Sequence, residues 1–433
     1  FFSTISLFHL PCHSPDPSHP SALRRLGMAT NLKAAKEAFV SNTTGSTLAI
    51  VLSTVLLPVC LPLLLLKRLK VRSYAWSAAA VCGGMVASVM VAPNLVEGGA
   101  VEKYLPAMAL AVLACAEPGG SNSTELVASL RASTYLMTYV SILAVDFPSF
   151  PRSFCKAEEA GYGLMDLGTG SYVFASGVCS RWARRVGPDC DSFGRRLKKC
   201  APLLAFGLIR TVTVKAADYQ EHASEYGTHW NFYFTLCAIG LGSYFLGGWR
   251  ERCAVLVVLA AYQAWLSTMG GQEYVQGPGR DGGLFYMNRE GVLGLPGYFG
   301  VLVLSEFVGR VFVWSKTQPN VPMYLVACSW LALLSVENLL GTVVSRRSTN
   351  LPYVLWVTAT NLTVLFALDK INWHPDVMPV VNSRGLTTFI AANLMTGAVN
   401  FATNTMEWGM VGAVALVGCY MVGVLVAAKV RMR

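Results

Sequence analysis

An apolar run closes at Val145, and the chain then reads Asp146-Phe147-Pro148-Ser149-Phe150-Pro151-Arg152-Ser153-Phe154-Cys155-Lys156. A carboxylate, two prolines and two cations at the end of a membrane-type segment form a set that could carry acyl transfer. That reaction needs a base for the attacking hydroxyl and a positive or hydrogen-bonding group for the developing oxyanion. A charge near a helix end costs less than the roughly 2.5–3.5 kcal/mol it costs at the membrane centre. Desolvation there raises a carboxyl's pKa toward that of a useful base, unless a cation such as Arg152 or Lys156 lowers it again. The prolines stop the helix and stiffen the residues after it, so both cations can fold back over the same face. Two plainer readings stand beside this one: a solvated loop with interface anchors, and an ion pair that only neutralises itself.

Other polar residues invite chemistry more weakly. His222 and His229 suit a general base near a thioester. Both lie among aromatic and acidic residues, however, and read as pocket residues with Glu225, Trp230 and Asn231. Arg289, Arg346 and Arg347 fit either headgroup anchoring or phosphate recognition by a planar guanidinium, with Asn288 and Asn350 adding hydrogen bonds. Gly277-Pro278-Gly279-Arg280-Asp281-Gly282 matches G-x-G-x-x-G, but no strand precedes it, so it reads as a flexible, turn-rich loop. Glu306 and Arg310 are four apart and can neutralise each other on one helix face. Arg210 and Glu337 ask for partners on other helices. The twelve cysteines contain no C-x-x-C pair and imply no metal or redox site.

The elements that must position these groups are membrane helices. The 433 residues are 54% hydrophobic and 13% charged, with mean hydropathy +0.47, whereas soluble domains carry about 25% charge. Apolar runs of about 17–22 residues predict an all-α polytopic membrane protein of about thirteen spans. Their centres lie near Thr54, Gly83, Ala109, Val140, Ala175, Gly207, Ile239, Ala260, Gly300, Leu331, Thr360, Leu394 and Leu416. Net charge of +10 then has a topological meaning, and nucleic-acid binding is not expected. With the amino end luminal, alternation puts the basic clusters at residues 67–72 and 181–199 and the tail on the cytosolic side, as the positive-inside rule asks. The opposite side receives loops 148–163, 215–229, 271–289 and 341–350, which hold nearly every group fit for chemistry. That shared side points to one assembled site. Residues 1–27, rich in Ser, Pro and His, read as a disordered extension, native or not. Residues 28–433 read as a single multi-pass domain without internal repeats.

The segment around Asp146 resembles the signature of the glycosylphosphatidylinositol-anchored wall transfer protein family, the inositol acyltransferases of GPI-anchor synthesis. Further blocks similar to that family occur in its order: Lys36-Glu37-Ala38-Phe39-Val40-Ser41-Asn42, Gly163-Leu164-Met165-Asp166-Leu167-Gly168, Tyr219-Gln220-Glu221-His222, Glu225-Tyr226-Gly227-Thr228-His229-Trp230-Asn231-Phe232, Asn288-Arg289-Glu290-Gly291, Ser345-Arg346-Arg347 and Asn393-Leu394-Met395-Thr396-Gly397. The resemblance implies a multi-pass enzyme of the endoplasmic reticulum membrane, and the basic clusters orient it with the amino end luminal and the carboxyl end cytosolic. It implies transfer of a fatty acyl group, palmitoyl first among them, from acyl-CoA to the inositol of glucosaminyl-phosphatidylinositol. It marks Asp146 and Lys156 as the catalytic pair, and no cofactor beyond the acyl-CoA co-substrate. Arg152 and Asp166 join the residues named above as substrate-binding candidates. Span number and intramembrane charge alone would equally suit a lipid or solute transporter, which predicts inverted repeats and broken helices meeting at the midplane.

Overall fold

The computed structural model describes residues 43–91, 120–186, 192–216, 226–277, 279, 282–315 and 320–430. The predicted span at Ala109, the amino-terminal block, residues 1–27, His222 and Glu225 lie outside them. Thirteen helices carry the fold among the described residues: α1 (Leu48–Arg68), α2 (Tyr74–Val91), α3 (Ser123–Ala144), α4 (Leu167–Val178), α5 (Phe193–Ala216), α6 (Phe232–Gly242), α7 (Trp249–Thr268), α8 (Arg289–Val313), α9 (Val321–Leu340), α10 (Leu351–Ile371), α11 (Val377–Ser383), α12 (Gly385–Ala402) and α13 (Met410–Lys429). No strand is formed among the described residues.

Seven of these (α1, α2, α3, α8, α9, α10 and α13) are long and apolar enough to cross a membrane. The all-helical, polytopic class is therefore as expected. Five other predicted centres fall in α4, α5, α6, α7 and α12, so the seven do not by themselves establish a count of thirteen. At twelve residues, α4 extends only about 18 Å against a hydrocarbon core of about 30 Å.

Local signals explain the helix ends. The Asn122 side chain accepts the Thr124 N–H at 2.9 Å to start α3, and Lys67 and Arg68 end α1 where cations suit the dipole. Helices α3 and α10 form the centre, with 83% of each apolar stretch buried, whereas α9 buries 6% and faces outward. Small residues let helices approach: a Cβ at Gly177 of α4 would collide with Ser305 of α8.

Backbone contacts sort the loops into two ends. At one end, Ser46 N–H donates to Tyr162 C=O at 2.8 Å, Gly161 N–H to Val344 C=O at 2.8 Å, and Thr228 N–H to Met287 C=O at 2.9 Å. At the other, Asp376 N–H donates to Arg72 C=O at 3.2 Å, Ser123 Oγ to Val313 C=O at 2.6 Å, and Arg310 Nη1 to Trp182 C=O at 2.8 Å. The first group joins the loops predicted to share one side, and the second joins the basic ones.

Candidate active site

The end of α3 builds the centre of the loop-rich end. Past Val145 the chain turns through the two prolines, and Arg152 folds back under it. Its Nη2 donates to the carbonyls of Val145, Phe147 and Phe150 at 3.1, 3.2 and 3.0 Å, satisfying groups that a helix end leaves open. Asp146 stands half-buried, and its Oδ2 accepts Asn400 Nδ2 of α12 at 2.7 Å. Burial lowers the Arg152 pKa from its ordinary value, opposed by nearby Cys155 and Asp146. The buried Cys155 thiol is pushed up by burial while feeling Arg152, Lys156, Asp166 and Asp146. The thiol therefore lies within electrostatic reach of four charged side chains, both members of the expected catalytic pair among them.

Lys156 is half-buried, and its neighbours are fixed from several sides. Its carbonyl accepts the Thr43 hydroxyl, and the next amide, Ala157 N–H, donates to Asp166 Oδ2 at 2.9 Å. The other carboxyl oxygen of Asp166 pairs with Arg346 Nε at 2.7 Å, both side chains at least 95% buried. Burial raises the Asp166 pKa, while Arg346, the Ala157 amide and Lys156 pull it back. Gly163 is needed here, because a Cβ would strike both the Asp166 carboxyl and the Cys155 carbonyl. Tyr353 Oη donates to the Asp166 carbonyl at 2.9 Å, tying the turn to α10.

The remaining described candidates form the frame around this centre. Arg289 is fully buried, donates to the carbonyls of Val275, Gly277 and Gly279, and lies 4.4 Å from the Tyr286 ring centroid. Arg289 thus holds Gly277 and Gly279 of the glycine-rich segment, whose Pro278, Arg280 and Asp281 lie outside the described residues. Arg347 pairs with Glu290 at 3.2 Å. Asn288 Oδ1 accepts the His229 and Trp230 amides at 2.7 and 2.8 Å. Asn231 caps α6 and donates to Gly207 C=O at 2.9 Å; Asn350 caps α10 and donates to Val343 C=O at 2.9 Å. These side chains engage the protein's own backbone and carboxylates. His229 is half-buried at the edge of this frame.

At the opposite end of α4 lies a vestibule of about 860 Å³. Arg181, Arg185, Arg196, Lys199, Arg252 and Arg310 line it, against Glu306 as the one carboxylate among the described lining residues. Here the pairing expected from sequence is corrected. Glu306 pairs with Arg252 of α7 at 2.7 Å, and Arg310 instead stacks on Trp182 at 4.4 Å, because the tertiary partner offers better geometry than the i+4 neighbour. Arg252 lies over the same ring at 4.2 Å, with Trp249 edge-on to it at 4.7 Å. Glu337 finds its partner in a loop and not on another helix as expected, accepting Tyr162 Oη at 2.7 Å.

A family model described as GWT1 matches residues 32–430. The chain belongs to the GWT1 family. Similar proteins include an uncharacterized protein of Arabidopsis thaliana, 39% identical over 65% of this chain and 67% of its own. GPI-anchored wall transfer protein 1 of Yarrowia lipolytica is 34% identical over 64% and 66%, and that of Eremothecium gossypii 31% over 66% and 71%. The matches thus span about two thirds of the relatives' own lengths. In this GWT1-family chain, sequence reasoning missed Asn400, the Asp166–Arg346 clamp and the aromatic lining of the vestibule. A helical asparagine and two tryptophans next to basic clusters were the available signals, but neither names its partner.

Proposed function

We propose that this chain is an acyl-CoA-dependent inositol acyltransferase of GPI-anchor biosynthesis in the endoplasmic reticulum membrane. It moves a fatty acyl group to the inositol of glucosaminyl-phosphatidylinositol. The observation that carries the reading is the built loop of a family member: Asn400 holds Asp146, Arg152 folds back on the carbonyls around it, and the Asp166–Arg346 pair fixes the backbone next to Lys156. Asp146 takes the proton of the attacking inositol hydroxyl, and Lys156 stabilises the oxyanion formed on the thioester carbonyl. The hydroxyl oxygen bonds to the acyl carbon, the carbon–sulfur bond breaks, and the thiol of CoA leaves with a proton.

The vestibule supports acyl-CoA as the donor. Excess cations suit its phosphates, the exposed Trp249 suits its base, and apolar walls at Leu203, Leu236 and Leu302 suit the arm and chain. With the basic end cytosolic and the loop-rich end luminal, the donor enters from the cytosol. Helix α4, which runs from the turn at Asp166 to the vestibule wall, is about 18 Å long. The decisive test is expression in a cell lacking inositol acylation, followed by mass spectrometry of its glycolipids. Appearance of the acylated inositol species is the expected result; persistent absence with the protein present in the membrane would reject the activity. Tags at the two ends, probed by protease in sealed microsomes, test the orientation.

A further inference from the structure

Beneath the turn Leu164–Asp166, helices α1, α3, α4 and α10 line a partly open cavity of about 50 Å³, room for roughly three or four waters. It is distinct from the vestibule and shares no lining residue with it. Two hydroxyls in its wall have no hydrogen-bond partner in the protein: Ser133 Oγ, in a residue 4% exposed, and Thr360 Oγ1, in a residue 1% exposed. Leaving such groups unpaired inside a membrane is costly.

The surrounding polar side chains do not relieve them. Thr134 donates to Leu130 C=O at 3.0 Å and Thr138 to Thr134 C=O at 2.8 Å. The Asn361 amide donates to Ser171 Oγ at 2.9 Å and to Val357 C=O at 2.8 Å. Each of these hydroxyls still has acceptor capacity. Two unused donors and several unused acceptors around a water-sized void make a set that water can satisfy. An alkyl chain would leave both hydroxyls unpaired.

We propose that this cavity is a hydration site built into the membrane bundle, holding a small cluster of ordered water anchored by Ser133 and Thr360. Leu164 and Leu167 line it on either side of Asp166 in sequence, so part of the floor beneath the clamp on Lys156 is exchangeable water and not packed side chain.

The sign of a stability change tests this on the purified full chain in nanodiscs. Thr360→Val is isosteric. In a wet cavity it removes a water anchor and lowers Tm by about 2 °C; in a dry one it removes an unpaired hydroxyl and raises Tm. Ser133→Ala should shift in the same downward direction. A rise or no change for Thr360→Val overturns the proposal. Should either variant fail to fold, high-resolution density of the wild-type protein decides. Discrete peaks within hydrogen-bond distance of both hydroxyls are expected, and an empty cavity or a continuous rod of alkyl density refutes the site.

Discussion

The two ends of α4 treat charge in opposite ways. At the loop-rich end, Asp166, Arg289 and Arg346 are buried and each meets a carboxylate, guanidinium or carbonyl partner at fixed geometry. At the basic end Arg252 is likewise paired, with Glu306, but Arg181, Arg185 and Lys199 stand exposed around a wide vestibule with an excess of cations. The first arrangement resists displacement and suits the positioning of reacting groups, where small errors are expensive. The second tolerates a flexible anion in several poses and draws it by its field. One end is built for placement and the other for capture.

Substitution at the placement end should therefore have the larger effect on turnover. Asp146→Asn is expected to lower acylation by about 10²–10⁴-fold, the range for a lost general base, with little change in abundance. Its side-chain carbonyl can still accept the Asn400 amide. Microsomal assay with labelled acyl-CoA measures this, and near-normal activity would remove Asp146 as the base. Lys156→Ala should cost about 10²–10³-fold in kcat with a smaller change in acyl-CoA KM, if the ammonium acts mainly on the oxyanion. Lys156→Arg separates the roles: a grip on phosphate should survive it better than oxyanion stabilisation does. A pure KM effect in both variants would move Lys156 to the capture side of the comparison.

Asn400 offers a finer test of placement. Its amide gives Asp146 a short, charge-assisted hydrogen bond at 2.7 Å, and losing such a bond is worth about 1.5–3 kcal/mol. Asn400→Leu should thus reduce kcat by roughly 10- to 100-fold, with KM moved far less. If Asn400 works through Asp146, adding Asn400→Leu to Asp146→Asn should do almost nothing more. Additive losses would show that α12 matters only for packing.

Sequence pattern made the helices visible, because apolar runs bounded by charges report membrane burial directly. Alternation also predicted which loops share an end, and backbone contacts join several of them, Ser46 to Tyr162 and Gly161 to Val344 among them. The tertiary partners were not legible. Asn400 and Asp146 are 254 residues apart, and nothing in either helix's periodicity names the other. Asn288 and Asn350 looked like ligands for a headgroup, and Asn231 like a pocket residue, because a buried cap and a binding amide have the same side chain. Their contacts show caps and loop clamps. The Glu306–Arg310 expectation went astray for a related reason: i+4 spacing makes a pair possible, and Arg252 from another helix won the carboxylate.

The capture end should yield the smallest and most conditional effects. Arg181 and Lys199 line the vestibule with exposed side chains, where single charges in water are worth little. The double variant Arg181→Gln/Lys199→Gln is expected to raise the acyl-CoA KM several-fold while leaving kcat nearly intact, because neither group lies in the loop that holds Asp146 and Lys156. The difference from wild type should shrink as salt rises toward 1 M, where the screening length falls to about 3 Å. Saturation kinetics at two salt concentrations measure both features. A fall in kcat at unchanged KM would mean that the vestibule feeds the reaction centre through structure and not through donor binding, and the division between placement and capture would then fail.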